Sequence, residues 1–209
     1  MLPGETAWKN GYQVALFPMD YINMSQAYGP GTYSHCCNMA TDWAAPGNIS
    51  GYAYYAPCDC YQLGISGSDN IARYRSAHEV YTPSGIKYIT WCFMHDNDPP
   101  VYAPDYLIRQ GDRIGATGTA GLGPGPHLHL DQASGSNFTL YNSGQSCTIG
   151  VDCYKPYDEL APTNVWYLTG NELFVQTGSL QFQTISGSTP GGGFKWWFSE
   201  PQLRRRKNV

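Results

Sequence analysis

Gly125-Pro126-His127-Leu128-His129-Leu130-Asp131 is the stretch on which the reading of this chain turns. Two of the five histidines in the chain stand here, one residue apart. In a β-strand, residues i and i+2 project from the same face, so both imidazoles would enter one space. The preceding residues, 115–126, are mostly Gly, Thr, Ala and Pro, the composition of a loop rather than of a helix lead-in. The His pair is therefore expected on a short strand entered from a glycine-rich loop.

Outward from that pair, the strongest strand signal covers residues 85–95, Gly-Ile-Lys-Tyr-Ile-Thr-Trp-Cys-Phe-Met-His. Both of its alternating faces are largely apolar, which predicts a central strand buried on two sides. It delivers His95 just before the polar loop 96–100. Further upstream, residues 14–17, 21–26 and 39–43 read as strands, with Asp42 near the end of the third, and 52–63, broken at Pro57, contains another. Residues 71–77 fit a strand or a short helix. Downstream, 165–169 and 173–175 suggest a hairpin around Gly170-Asn171, and 180–185 alternates as a half-exposed strand does. These elements predict a mainly β fold, an antiparallel sheet or sandwich with a groove and few short helices. Residues 1–160 are expected to form the main domain and 161–209 a C-terminal extension ending in an aromatic and basic tail.

Composition narrows the function. The chain has 209 residues, a formal net charge of −4, and is rich in Gly (24), Pro (15) and Tyr (17). An acidic balance with 13% charged residues argues against broad nucleic-acid affinity. No stretch approaches the roughly 18 apolar residues of a membrane span. The N-terminus, Met1-Leu2-Pro3-Gly4-Glu5, has neither a basic region nor an apolar run, so no secretory signal is expected. The seven cysteines do not form paired CxxC knuckles and are expected to be mostly reduced and buried, with Cys147 and Cys153 spaced for a local pairing. Trp196 and Trp197 are expected to pack on the domain or on a neighbour rather than to bind glycan.

Histidine chemistry is the sharpest signal. A catalytic zinc site takes three protein ligands and leaves a fourth position for water. His35 and Asp42 come from one segment, and one His of the pair completes such a set. The other His of the pair and His95 are then left to move protons or to stabilise an oxyanion. His78 fits no motif. A non-haem iron triad built on His129 and Asp131, or a cupin, needs a later histidine, and none follows His129. HExxH, a P-loop and a GxSxG elbow are absent.

The run 115–129, Gly-Ala-Thr-Gly-Thr-Ala-Gly-Leu-Gly-Pro-Gly-Pro-His-Leu-His, resembles the G-x-x-G-x-x-G-x-x-x-G-P-H-L-H signature of the LytM/lysostaphin-type (M23) zinc peptidases. Residues 21–42, with Ser25-Gln26-x-Tyr28-Gly29 and Ser34-His35 ahead of Ala40-Thr41-Asp42, resemble the first metal motif of that family, and 89–95 its catalytic-histidine strand. The likeness covers about residues 14–135. It implies zinc held by His35, Asp42 and His129, with His127 and His95 catalytic. Six residues separate His35 from Asp42 where many members have three, a spacing similar to that of phage-encoded members; Asp131 stands where a Glu is common. The resemblance further implies a peptidoglycan endopeptidase acting on stem peptides or cross-bridges of the bacterial wall. The reading is of a phage lysin or virion-associated enzyme, made in the host cytoplasm and released on lysis or carried in the virion, with other phage tail or lysis proteins as partners. The alternatives are an inactive relative that binds peptidoglycan or a partner, and a zinc amidase.

Overall fold

A computed structural model describes residues 1–27, 34–35, 40–83, 85–121, 123–140, 154–159, 166–167, 172–176 and 182–186. Cys36, Cys37, Cys147, Cys153 and the Trp196-Trp197 tail lie outside the described residues. In chain order the strands are β1 (Trp8–Lys9), β2 (Tyr12–Val14), β3 (Met24–Gln26), β4 (Thr41–Trp43), β5 (Ala53–Tyr55), β6 (Cys60–Ser66), β7 (Ile71–Ser76) and β8 (Val80–Thr82). They continue with β9 (Gly85–Lys87), β10 (Ile89–Met94), β11 (Arg113–Ala116), β12 (Leu128–Leu140), β13 (Tyr154–Glu159), β14 (Glu172–Gln176) and β15 (Phe182–Ser186). Among the described residues the only helical turn is Pro46–Asn48, and no helix is long and apolar enough to cross a membrane. The mainly antiparallel β architecture expected from the sequence is the one observed; the β2–β8 pair is parallel.

A seven-stranded sheet in the order β3-β4-β12-β10-β7-β6, with β13 added along β12, carries the candidate site. Residues 71–76, undecided between strand and helix, form β7. All six residues of β10 are buried, as a two-sided central strand requires. The single strand expected over 85–95 is instead two strands in two sheets. β9 forms a hairpin with β8, while β10 lies between β7 and β12. Tyr88 stands between them, and its carbonyl accepts from the N–H of Gly135 at 2.8 Å, so the chain changes pairing partner there.

Beneath this sheet Trp43, Tyr54, Tyr74, Trp91, Phe93, Leu128, Leu130 and Trp166 form one core. Edge contacts set its geometry: Phe17 on Trp43 at 4.6 Å between centroids, Tyr54 on Phe93 at 4.8 Å and Trp91 on Trp166 at 5.8 Å. Burying each such side chain contributes about 1.5–3 kcal/mol. Cys58, Cys60 and Cys92 are buried free thiols, used as small apolar residues. The hairpin expected around Gly170-Asn171 is displaced: β14 pairs with β15. Tyr167 bridges Leu16 instead, its N–H donating to Ala15 and its carbonyl accepting from Phe17, so Trp166 enters the main core and Tyr167 a second cluster with Met1, Val14 and Leu16.

The glycine-rich loop packs backbone to backbone against the end of β10. A Cβ built at Gly118 would lie 2.1 Å from the His95 carbonyl oxygen and 2.8 Å from the Asn97 nitrogen. Neither atom is the end of a flexible side chain, so one must shift. Gly118→Ala is expected to cost about 1–3 kcal/mol. The melting temperature then drops by roughly 2–4 °C per kcal/mol for a chain of this size. Circular dichroism melts check this, and an unchanged melting temperature would show that the loop tolerates displacement.

Candidate metal centre

Register builds the site. On β12, His129 pairs with Asp42 of β4 on one side and with Met94 of β10 on the other. Asp131 pairs with Cys92. Directly paired residues share a face, so Asp42, His129, Asp131, Met94 and Cys92 lie on one side of the sheet. Leu128, Leu130, Trp43, Trp91 and Phe93 lie on the other side, in the core. The facing expected of the His pair holds, since the leucines between and after them are drawn into the core, but the strand is not short: β12 runs Leu128–Leu140, and His127 stands just before it in an isolated bridge to Gly118. Ile71, Cys92 and Met94 make a small apolar patch on the same face as the histidines.

One carboxylate oxygen is the centre of the cluster. Asp42 Oδ1 lies 3.0 Å from His129 Nδ1, 3.5 Å from His35 Nε2 and 3.5 Å from His127 Nε2. His35, Asp42 and His129 each offer a ligand atom, and the three atoms lie within 4.8 Å of one another. Ligands at the usual zinc bond lengths of about 2.0–2.1 Å in a tetrahedron stand about 3.3 Å apart. The 3.0 and 3.5 Å separations from Asp42 Oδ1 bracket that value, and two imidazoles with one carboxylate are the donor chemistry zinc takes. Behind His129, Asp131 Oδ2 lies 3.5 Å from Nε2 and accepts from the Cys92 thiol at 3.6 Å. A carboxylate in that position orients a ligating imidazole and fixes its tautomer.

The electrostatics follow from burial and from these neighbours. Burial pushes the His129 imidazolium pKa down, but the Asp131 and Asp42 carboxylates outweigh it and raise the value to about 10 in the metal-free protein. The Asp42 carboxyl is pushed up by burial, yet its hydrogen bond from His129 and the neighbouring imidazoles bring it below its ordinary range. Burial, then the positive field of His129, lower His35 to about 4. The same two causes, joined by His127, lower His95 to about 4. Positive charge is thus concentrated on His129, between two carboxylates, while His35 and His95 are neutral at physiological pH. Neutral His35 and ionised Asp42 are the protonation states that metal ligation needs.

His95 and His127 are oriented differently from His35, Asp42 and His129. His95 Nδ1 donates to the Ala120 carbonyl at 2.7 Å, and His127 Nδ1 donates to the Gly125 carbonyl at 2.7 Å. A carbonyl only accepts, so in the neutral ring each Nδ1 carries the proton and each Nε2 keeps its lone pair. The two rings lie 4.5 Å apart between centroids, and His95 lies 5.7 Å from His129. His95 has a φ of +76°, rare outside glycine, and is held there from several directions. Its N–H donates to the Asp69 carbonyl and its own carbonyl accepts from Ala120. Asp69 Oδ1 stands 3.7 Å from Nδ1. Gly121, at φ +78°, leaves the space that Asp69 fills.

All five side chains singled out in the sequence, His35, Asp42, His95, His127 and His129, are therefore buried together on one face. His78 is exposed beyond the end of β7. Residues that sequence reasoning did not assign also take part. Gln26 donates to Asp42 Oδ2 at 3.1 Å, Asp131 backs His129, and Ala120 and Asp69 hold His95. The i+2 spacing of Asp131 from His129 is a signal that was available for the second of these. For Asp69 there is none, since its role comes from a turn 26 residues before His95.

No protein-family model matches the chain. A curated relative, Morphogenesis protein 1 of Bacillus phage B103, is 34% identical over 162 residues, which are 77% of this chain and 43% of the relative. The chain thus spans less than half the length of that protein. Among solved structures, the catalytic domain of the prophage-encoded M23 protein EnpA from Enterococcus faecalis is 19% identical, with a TM-score of 0.44, covering 58% of this chain and 88% of that one. The antimicrobial peptidase lysostaphin from Staphylococcus simulans is 17% identical, with a TM-score of 0.43, covering 66% and 52%. A zinc-containing peptidase from Vibrio cholerae is 16% identical, with a TM-score of 0.42, covering 61% and 42%. The chain is similar to a phage protein and, at low identity, to solved peptidases that include an M23 protein.

Proposed function

We propose that this chain is a zinc-dependent endopeptidase of the LytM/lysostaphin type that hydrolyses peptide bonds of bacterial peptidoglycan and serves a phage. The observation that carries the reading is the convergence of His35 Nε2, His129 Nδ1 and His127 Nε2 on Asp42 Oδ1, with His95 beside them. His35, Asp42 and His129 would hold the metal. Bound there, zinc supplies Lewis acidity, polarising a carbonyl oxygen and bringing the pKa of a water down to about 7.

The chain's own residues do the rest. His127, its Nδ1 held on the Gly125 carbonyl, turns Nε2 to 3.5 Å from Asp42 Oδ1, where that nitrogen would take a proton from the attacking water and return it to the leaving amine. His95, neutral and held by its Nδ1–H on the Ala120 carbonyl, keeps an Nε2 lone pair that would accept a hydrogen bond from the attacking water and orient it. Asp131, 3.5 Å from His129 Nε2, would keep the proton on that nitrogen, so that Nδ1 is the atom that gives up its proton when the ring ligates a cation. The apolar patch of Ile71, Cys92 and Met94 excludes water beside the histidines, which strengthens each of these interactions. Peptidoglycan peptide is the proposed substrate. The division into a peptidase domain (1–160) and an extension (161–209), and release on lysis or carriage in the virion, belong to the same proposal.

Digestion of purified walls tests it. The zinc-loaded protein is expected to release fragments whose new termini, read by mass spectrometry, are a free amine and a carboxylate from a peptide bond. Cleavage between sugar and peptide would assign an amidase instead, and no release by the zinc-loaded protein would assign a binding module.

A further inference from the structure

Asp42 divides its two oxygens. Oδ1 faces the histidines, and Oδ2 accepts from Gln26 Nε2 at 3.1 Å. The second N–H of the same amide donates to Ser34 Oγ at 2.7 Å, one residue before His35. Both amide protons are thereby spent, and the donor nitrogen is identified by the carboxylate it faces.

The backbone explains how Gln26 comes to be there. β3 pairs with β4 as Met24 with Trp43 and Gln26 with Asp42, with a register shift between the two pairs. In a regular strand Met24 and Gln26 would share a face, and Met24 packs in the core with Trp43. The bulge adds a residue on β3 and turns Gln26 to the opposite face, beside Asp42. Bulges re-aim side chains in this way next to active sites.

We infer that Gln26 is a positioning residue for the metal centre: it holds Asp42 with one oxygen toward the ligand cluster and ties β3 to the segment that carries His35. The inference rests on the metal reading proposed above. Six residues separate His35 from Asp42 in the chain. Gln26 reaches across to both of their segments. A carboxylate with a free Oδ2 rotates; one held by an amide presents a single oxygen.

The test uses the full chain and zinc alone, measured by competition with a chromophoric chelator. Gln26→Met keeps the length of the side chain and removes both donors. It is expected to weaken zinc binding about 10–100-fold, the usual effect of removing a partner of a metal ligand. Gln26→Asn keeps the amide but shortens its reach, and is expected to lose affinity as well. The melting temperature of the metal-free forms is expected to stay close to that of the parent, because Gln26 is only half-buried. A Gln26→Met protein that binds zinc within twofold of the parent overturns the positioning role while leaving the metal centre standing. A parent that binds no zinc overturns the metal reading, and the role of Gln26 with it.

Discussion

His129→Ala is expected to abolish zinc retention and wall hydrolysis together. His129 is buried between β4 and β10 and is the ring closest to Asp42, its Nδ1 3.0 Å from Oδ1. Removing it takes one of the three protein ligands proposed. If a complete structural zinc site is worth about 10–16 kcal/mol over four ligands, one ligand is worth roughly 2.5–4 kcal/mol, or on the order of 10²–10³ in affinity. The real loss is expected at the upper end, because Asp42 and Asp131 then face a hole with no imidazole between them. Without a third ligand the remaining pair, His35 and Asp42, has no rigid frame. Metal analysis after dialysis, with chelator competition, checks the affinity. His78→Ala, an exposed histidine outside the cluster, is the control and is expected to behave as the parent. Stoichiometric zinc in His129→Ala at parental affinity would remove His129 from the ligand set.

Much of this site was legible because it rests on local rules. Alternation of His and Leu at 127–130 placed two imidazoles on one face, and the core claims Leu128 and Leu130 as that pattern requires. The glycines at 118 and 121 mark a loop, and the structure adds why a side chain is excluded: the His95 carbonyl and the Asp69 carboxylate occupy the space. What stayed hidden depends on pairings that a linear sequence does not display. The break between β9 and β10 comes from a change of partner at Tyr88, and nothing in the apolar run 85–95 announces it. Gln26 faces Asp42 only because of a bulge in β3, which reverses the alternation read from the sequence. The positive φ of His95 is imposed by the loop it grips, not by the residue itself.

His127→Ala is expected to do the reverse of His129→Ala: zinc stays and turnover goes. Both histidines reach the same oxygen, His129 Nδ1 at 3.0 Å and His127 Nε2 at 3.5 Å, so proximity to Asp42 alone does not divide their roles. Their other nitrogens do. His129 is backed by a carboxylate, Asp131, which suits an imidazole that gives its lone pair to a cation. His127 is backed by the neutral Gly125 carbonyl, which leaves Nε2 free to take and release a proton. General acid–base groups contribute typically about 10²–10⁴ in rate, so kcat on a soluble peptide fragment of the wall is expected to fall by that factor in His127→Ala. Zinc affinity is expected to stay within about threefold of the parent, since a partner of a ligand, when lost, costs at least about tenfold. The fold is expected to persist, because the pairing of residue 127 with Gly118 runs through the backbone. Measured side by side, the two variants separate ligand from proton carrier. Zinc lost in His127→Ala and kept in His129→Ala would exchange the two roles, and with them the part assigned to Asp131.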